Sequence, residues 1–170
     1  MRIIAGEWRG RNIAAPKGDS VRPTLDRVRE AWMSIVHTSL PDARVVDLFA
    51  GSGALGLEAL SRGAAHVDFV ENDPRTFRVL QENVKSLGAE VRCTLHRADA
   101  LTFIAGAGAY DVAFADPPYR KGIAVELAGR WLAKPFATIF GVEHESFEKL
   151  PEGGDTRKYG DSSITIFRTK

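Results

Sequence analysis

The sequence predicts an α/β fold with a mostly parallel, seven-stranded sheet and helices on both faces. From residue 44 onward, short apolar runs typical of buried strands alternate with segments whose apolar residues recur at helical spacing. Near the end of the chain two strand-like runs, 157–159 and 163–168, follow each other without a helix between them. Because strand–helix–strand crossovers are right-handed, the alternation predicts parallel strands covered on both faces, and the last two runs predict an antiparallel hairpin at one edge.

The alternation assigns the elements in order. The predicted strands cover residues 45–49, 67–70, 91–95, 110–115 and 138–142, and the predicted helices cover 55–62, 74–87, 101–104 and 125–132. Asp73 is a candidate N-cap with Pro74 at the first helical position, and Gly88 ends the same helix. Glu143, His144 and Glu145 follow the fifth strand and are expected to form a solvated loop.

The residues before the alternation predict an extension, 1–40, packed on a core formed by residues 41–170. A chain of 170 residues suits a single globular unit. The extension is predicted to contain a hairpin of residues 2–4 and 11–14, a loop at 16–19 and an amphipathic helix over 25–40.

Composition excludes several classes of protein. Cys93 is the single cysteine, so no intramolecular disulfide can form and a reducing cytoplasm is expected. The first residues contain no apolar run long enough for a signal peptide, and no later stretch approaches membrane-spanning length. The four histidines lie at no ligand spacing from one another, and no metal is expected.

Charge is distributed unevenly along the chain although its net value is only +1. Residues 1–30 hold seven basic and four acidic side chains, whereas the remaining 140 hold 16 basic and 18 acidic ones. A polyanion could bind to the surplus of basic side chains in the N-terminal 30 residues. An ordinary solvated surface with chance clustering explains the same numbers, so charge alone leaves both readings open.

A glycine-rich turn follows the first predicted strand. The segment from Asp47 to Gly56 contains G-x-G-x-x-G between a strand and a helix, where glycines let a ligand approach the backbone and the helix presents free N–H groups. Twenty residues after Gly51, Glu71 ends the second strand, where a carboxylate can accept hydrogen bonds from ribose hydroxyls. The pattern therefore predicts an adenosine site.

The glycine pattern by itself does not distinguish NAD from S-adenosylmethionine. Asp47 favours S-adenosylmethionine, whose methionine end carries an ammonium group where NAD carries pyrophosphate. Asp99, after the third strand, is placed either to meet the adenine ring or to cap the following helix. The candidate cofactor-binding residues are Asp47, Gly51, Ser52, Gly53, Glu71, Asn72, Asp99 and Ala100.

The fourth predicted strand ends in Asp116-Pro117-Pro118-Tyr119, the candidate catalytic residues. The prolines stiffen the corner, so the Asp116 carboxylate and the Pro117 carbonyl become preorganised acceptors for the two N–H bonds of a base amine. These two hydrogen bonds reduce the delocalisation of the nitrogen lone pair into the ring and so make the nitrogen a better nucleophile. The carboxylate also stabilises the positive charge that grows on the nitrogen during the transfer. Tyr119 offers a ring on which the base can stack. The corner therefore predicts methyl transfer to the amino group of a nucleobase.

Five sequence blocks carry a resemblance to a known family: residues 2–11, 22–30, 47–60, 116–119 and 158–161. They resemble RsmD-type 16S ribosomal RNA guanine-N2 methyltransferases, and the first two blocks distinguish this family from other amino methyltransferases. The resemblance implies a class I S-adenosylmethionine-dependent methyltransferase fold. It also implies methylation of N2 of one guanine in bacterial 16S ribosomal RNA, free or within an assembled or partly assembled small subunit.

The candidate RNA-binding residues are cationic side chains from the N-terminal segment and from beside the corner: Arg2, Arg9, Arg11, Arg22, Arg120 and Lys121. Two rival functions stay open. A DNA adenine-N6 or cytosine-N4 methyltransferase uses the same kind of corner, although sequence-specific DNA enzymes usually add a recognition domain. A catalytically silent RNA-binding module is disfavoured by the intact Asp116 corner and by Glu71.

Overall fold

The computed structural model describes residues 1–15 and 23–170, and for residues 23–25 the backbone alone. The predicted loop at 16–19 and Arg22 lie outside the described residues. The helices are α1 (Pro23–Val36), α2 (Ala54–Ser61), α3 (Pro74–Ser86), α4 (Ala100–Ala105) and α5 (Ile123–Ala133). The strands are β1 (Arg44–Leu48), β2 (His66–Val70), β3 (Cys93–His96), β4 (Tyr110–Ala115), β5 (Ala137–Glu145), β6 (Asp155–Tyr159) and β7 (Ser162–Arg168).

The strands form one seven-stranded sheet in the order β3-β2-β1-β4-β5-β7-β6. β1 pairs in parallel with β2 and β4, and β5 continues the parallel arrangement beside β4. β7 runs antiparallel to both neighbours, β5 and β6. The predicted mostly parallel sheet with an antiparallel C-terminal hairpin is confirmed. Because the strand order reverses between β1 and β4, their carboxyl ends border the crevice where ligands bind in sheets of this type.

Each face of the sheet is covered by its own buried cluster. On one face, Trp32 of α1 and Leu57 of α2 pack with Phe114 of β4. The rings of Trp32 and Phe114 meet edge to face with their centroids 5.4 Å apart. On the other face, Trp131 of α5 packs with Phe140 of β5. Helices therefore flank both faces, as the alternation predicts.

The N-terminal residues fold against α2. The two predicted hairpin arms are joined by backbone hydrogen bonds such as Ile3 N to Arg11 O at 2.9 Å, but their regular pairing is limited to one bridge, between Arg2 and Asn12. The arms do not form longer strands because Glu58 of α2 accepts the N–H groups of residues 4 and 5 instead. Ile3 is 1% exposed and belongs to the same core cluster as α1 and α2. The segment is thus packed into the core.

Three strand boundaries differ from the prediction by two residues or more, and one of them is the start of β6 at Asp155, which the sequence predicts at residue 157. Residues 90–92 form a 3₁₀ turn and β3 begins only at Cys93; Val91, predicted in the strand, is 91% exposed. β5 extends to Glu145, three residues beyond the predicted end, because it pairs with β7 there, Glu143 opposite Ile164 and Glu145 opposite Ser162. The residues before position 143 do not indicate that β7, a later strand, pairs with β5 beyond residue 142. The helix predicted over 25–40 is α1 followed by a short 3₁₀ turn, His37–Ser39.

Cys93 is buried, and its Sγ donates a hydrogen bond to Ala89 O at 3.3 Å. Burial raises the pKa of its thiol to about 11, which leaves it protonated and unreactive at neutral pH. In the described part of the chain, no helix combines the length and the apolar character needed to cross a bilayer. The same residues contain no group of three or more His, Cys, Asp or Glu side chains that could hold a metal ion.

Candidate active site

The glycine turn after β1 leaves its backbone open to a ligand. Gly51 has a φ of +58°, and apart from its two chain neighbours no described residue has an atom within 4 Å of the position that a Cβ would occupy. Gly56 is the opposite case: a Cβ there would collide with the ring of Phe69 on β2. One glycine therefore gives a ligand access to the backbone, and the other lets α2 pack closely on the sheet, which are the roles that nucleotide-binding glycine turns assign to them.

Glu71 stands on the rim of this turn, immediately after β2. Its Oε1 accepts a hydrogen bond from Gly51 N at 2.9 Å, and its Oε2 accepts one from Asp73 N at 2.9 Å. Each carboxylate oxygen keeps a second lone pair, so the side chain is oriented and can still accept ribose hydroxyls. The Ser52 carbonyl accepts from Asn83 Nδ2 at 2.9 Å, which holds the turn against α3.

Asp47 lies beneath the turn on β1 and is 1% exposed. Its Oδ2 accepts a hydrogen bond from Gly56 N at 3.0 Å. Burial raises the pKa of Asp47 well above its ordinary value; the charges of Asp116 and Glu71 raise it further, and the Gly56 hydrogen bond lowers it. A cationic group bound nearby would favour the ionised carboxylate. The predicted ammonium contact therefore fits the electrostatics of this side chain.

Asp99 caps α4, which is one of its two predicted roles. Its Oδ2 accepts from Thr102 N at 3.0 Å and from Thr102 Oγ1 at 3.1 Å. Ala100 begins α4 and is buried, whereas Asn72 beside Glu71 is exposed. The predicted adenine contact of Asp99 stays a prediction. Asp73 likewise caps α3, with Pro74 at the helix start, as predicted.

The predicted corner, residues 116–119, follows β4 at the edge of the sheet where β1 ends. Pro117 is buried, while Asp116 is open to the cleft and Tyr119 is 44% exposed. Arg120 follows with a φ of +65°, and its Nε lies 3.2 Å from Glu145 Oε1, so the corner is tied to the end of β5. The structure thus brings the corner and the glycine turn to the same crevice.

The surroundings of Asp116 raise its proton affinity. The neighbouring protein atoms exclude much of the water, and this desolvation, together with the charge of Glu143, raises the pKa of Asp116 to about 8. No hydrogen bond from the described residues contributes to that pKa. Water that enters the open cleft weakens the effect, and a substrate that covers the carboxyl strengthens it. Asp116 is therefore a proton acceptor left available to a ligand.

The Glu143–Glu145 segment is buried in β5, so its predicted assignment to a solvated loop is wrong. Glu143 is 9% exposed, His144 3% and Glu145 8%. His144 Nε2 lies 2.7 Å from Thr165 Oγ1 of β7. The pairing of β5 with β7 encloses these polar residues, and only the tertiary arrangement places Glu143 beside the corner. Glu143 is therefore the site residue that sequence reasoning missed.

The candidate RNA-binding residues fall into two separated groups. Arg120 and Lys121 are exposed beside the corner. Arg9 and Arg11 are exposed on the N-terminal segment, where Arg11 Nη2 donates to Ser86 O at the end of α3. Helices that follow parallel strands run back across the sheet, so the end of α3 lies toward the edge opposite the corner. Arg2 is also exposed on the N-terminal segment, so the five candidates that the structure describes do not form one cluster; Arg22 lies outside the described residues.

Proteins of similar sequence include ribosomal RNA methyltransferases. The family model described as Conserved hypothetical protein 95 matches residues 1–168. The Ribosomal RNA small subunit methyltransferase D of Escherichia coli is 42% identical over 157 residues, 89% of this chain and 78% of that protein. The Haemophilus influenzae protein of the same name is 34% identical, covering 99% of this chain and 92% of its own length.

Solved structures share the fold. A Thermus thermophilus hypothetical protein superimposes with a TM-score of 0.87 at 31% identity, over 99% of each chain. The Thermus thermophilus 16S rRNA N2 methyltransferase RsmC, in complex with AdoMet and guanosine, has a TM-score of 0.70 at 19% identity, over 91% of this chain and 45% of that chain.

The sheet order, the glycine turn and the corner define a Rossmann-like methyltransferase of the S-adenosylmethionine-dependent class. This confirms the class of fold and enzyme that the sequence predicts. Because the family model spans nearly the whole chain and the relatives exceed 30% identity over most of their length, the chain belongs to the family of the ribosomal RNA small subunit methyltransferase D.

Proposed function

We propose that this enzyme transfers a methyl group from S-adenosylmethionine to the exocyclic N2 of a guanine in bacterial 16S ribosomal RNA. The observation that carries the proposal is the corner at residues 116–119, open to the cleft and adjoining the glycine turn. The names of the relatives with 42% and 34% identity support a small-subunit ribosomal RNA substrate.

The residues of the turn fit an adenosine cofactor whose other end is cationic. Glu71 would accept the ribose hydroxyls, the open backbone at Gly51 would approach the ligand, and Asp47 would face the ammonium group. Bound there, S-adenosylmethionine supplies an electrophilic methyl group on a positively charged sulfur. Ser52, Gly53, Asn72, Asp99 and Ala100 complete the proposed contact set.

At the corner the chain's own groups would orient the guanine. The Asp116 carboxyl and the Pro117 carbonyl would accept hydrogen bonds from the two N2–H groups. These hydrogen bonds favour a pyramidal nitrogen whose lone pair points at the methyl group. Tyr119, partly exposed, stacks on the base, a contact worth about 1–3 kcal/mol. Asp116 in its ionised form then accepts the proton that N2 loses, and a pKa raised above the ordinary aspartate value makes that carboxylate a stronger proton acceptor.

The RNA backbone would contact cations on both sides of the molecule. Arg120 and Lys121 lie beside the corner and would hold the phosphates that flank the target guanine. Arg2, Arg9, Arg11 and Arg22 of the predicted extension, residues 1–40, would hold a more distant part of the RNA. A substrate that reaches both groups is folded RNA, free or in an assembled or partly assembled small subunit, and we place the enzyme in the cytoplasm with it.

A methyl-transfer assay with labelled S-adenosylmethionine tests the proposal. The substrates are free 16S ribosomal RNA, assembled small subunits and duplex DNA, and the products are digested to nucleosides for mass spectrometry. We expect N2-methylguanosine from one or both ribosomal substrates. Methylation of DNA, or N6-methyladenosine in either substrate, would contradict the guanine assignment, and the absence of any transfer in the presence of bound cofactor would identify a non-catalytic RNA-binding module.

A further inference from the structure

A second carboxylate lies beside the corner. β4 and β5 pair in parallel with Ala115 opposite Val142, so the next residues along, Asp116 and Glu143, stand side by side. Alternate residues of a strand share a face. Phe114 of β4 and Ile139 of β5 belong to the core cluster on the α1 face, and the side chains of Asp116 and Glu143 point to that same face. The glutamate therefore borders the predicted catalytic group.

Polar groups from three other parts of the fold surround the Glu143 carboxylate. Trp32 of α1 packs on Gly141, where a Cβ would collide with its indole ring. The Ser162 hydroxyl, the Trp32 indole N–H and the Tyr119 hydroxyl interact with the Glu143 carboxylate and lower its pKa, which burial raises. Trp32 Nε1 and Ser162 Oγ are buried and have no hydrogen-bond partner among the described residues, so both groups lie near the Glu143 carboxylate without a direct hydrogen bond to it. Three donors thus converge on a carboxylate that is 9% exposed.

We propose that Glu143 is a positioning residue for methyl transfer: its carboxylate, flanked by Trp32, Ser162 and Tyr119, lies beside Asp116 and makes that carboxyl a stronger acceptor for the proton of the base amine. The inference rests on the proposed function. In the step, N2 forms a bond to the methyl carbon while the carbon–sulfur bond breaks and its electron pair goes to sulfur. The N2 proton passes to the Asp116 carboxylate and from there to water.

Other charged groups also face this pair. Asp47 of β1 interacts with Asp116 across the crevice, and Glu71 interacts with Asp47. His144 lowers the pKa of Glu143, and Glu145 raises the pKa of Tyr119. Glu143 is the neighbour whose charge raises the pKa of Asp116. Replacing Glu143 with a neutral residue should therefore lower the pKa of Asp116, whereas a shorter carboxylate should not.

The test compares Glu143→Gln with Glu143→Asp and measures two quantities. Carbon NMR of the aspartate carboxyls, assigned with Asp116→Asn, follows the titration of Asp116 in the 18.6 kDa protein without ligands. We expect its midpoint above the ordinary aspartate value in the parent, at lower pH in Glu143→Gln, and close to the parent in Glu143→Asp. In the methylation assay, kcat should fall by about tenfold or more in Glu143→Gln, with partial recovery in Glu143→Asp and little change in KM.

Each result has a defined meaning. An Asp116 midpoint that is the same in Glu143→Gln and the parent overturns the inference, as does an unchanged kcat. Calorimetric binding of S-adenosylmethionine and a thermal melt show whether each variant is folded, and Glu143→Asp keeps the comparison usable if Glu143→Gln is not. If the parent itself methylates no guanine, the proposed function fails, whereas the titration still decides whether Glu143 governs the proton affinity of Asp116.

Discussion

Asp116 and Glu71 are both carboxyl side chains at strand ends, yet their surroundings in the structure differ. Glu71 accepts two backbone N–H bonds and is oriented by them. Asp116 receives no hydrogen bond that lowers its pKa, so the neighbouring protein atoms that limit its hydration and the charge of Glu143 raise that pKa, although the side chain is open to the cleft. A carboxyl oriented by donors suits the binding of neutral hydroxyls, whereas one with a raised pKa suits the acceptance of a proton. The difference arises from the surroundings of each residue.

For Asp116 we expect a loss of turnover without a loss of cofactor binding. Asp116→Asn keeps the shape of the side chain and removes its capacity to become a carboxylate, so kcat should fall by about 10²–10³. The charge that Asp116 stabilises develops in the transition state, and KM for RNA should change little. Single-turnover kinetics with RNA measures the first effect, and titration with S-adenosylmethionine provides the control. An Asp116→Asn enzyme with parental turnover would remove Asp116 from the mechanism.

Tyr119 should affect substrate affinity as well as rate. Tyr119→Ala removes the ring that we expect the base to stack on, so KM for RNA should rise and kcat should fall, since the base must be presented unstacked. Tyr119→Phe keeps the ring and is the matched control, with affinity near that of the parent. Steady-state kinetics on ribosomal RNA measures both constants. Equal affinity of Tyr119→Ala and Tyr119→Phe would argue against stacking.

At the scale of elements, the turn between β1 and α2 depends on the close approach of helix and sheet. Gly56→Ala would place a methyl group against the ring of Phe69, and overpacking of this kind costs about 1–3 kcal/mol. Gly129→Ala in α5 is the matched control, because outside its own helix backbone no described residue has an atom within 4 Å of its Cβ position, and alanine favours the helix by about 1 kcal/mol. Urea unfolding should show a lower free energy for the first variant and a higher one for the second. A Gly56→Ala protein as stable as the parent would show that α2 can shift.

The sequence predicts most of the elements because each follows from local pattern: β4 and the α3 cap are found where the pattern places them. The start of β3 is wrong because an exposed 3₁₀ turn carries Val91, a residue typical of strands. The end of β5 is wrong because a distant strand, β7, decides it. The corner could be predicted because its four residues are consecutive in the sequence. The position of Glu143 beside it could not, because that position depends on how β4, β5, α1 and β7 pack together.

At the scale of the whole molecule, Arg11 on the N-terminal segment is separated from the cationic residues beside the corner, Arg120 and Lys121. α3 has 13 residues and is roughly 20 Å long, so Arg11, at its end, lies well away from the corner. Phosphate contacts make RNA affinity fall with salt concentration. A protein that contacts RNA at both places binds one folded surface of the RNA, and the two groups should be separable by mutation.

We therefore expect two alanine pairs to weaken RNA binding in different ways. Arg9→Ala with Arg11→Ala should lower affinity and flatten its salt dependence for folded ribosomal RNA while leaving cofactor affinity unchanged. Arg120→Ala with Lys121→Ala should lower the affinity and flatten its salt dependence for short single-stranded RNA as well as for folded ribosomal RNA. Filter binding across salt concentrations measures both, and Lys134→Ala, an exposed cation after α5, is the control. If the first pair binds folded RNA like the parent, the N-terminal segment lies outside the RNA contact.

β6, the outermost strand, bears on how concentrated the protein can become before its molecules associate. Four of its five residues are exposed, and Arg157 and Lys158 place positive charge along the free edge. Unpaired strand edges recruit strands of other molecules, and charged side chains along an edge oppose this because stacking two copies brings like charges together. The opposite edge, β3, has only four residues and offers little to pair with. The sheet is thus protected from edge-to-edge aggregation at both ends, by charge at one and by shortness at the other.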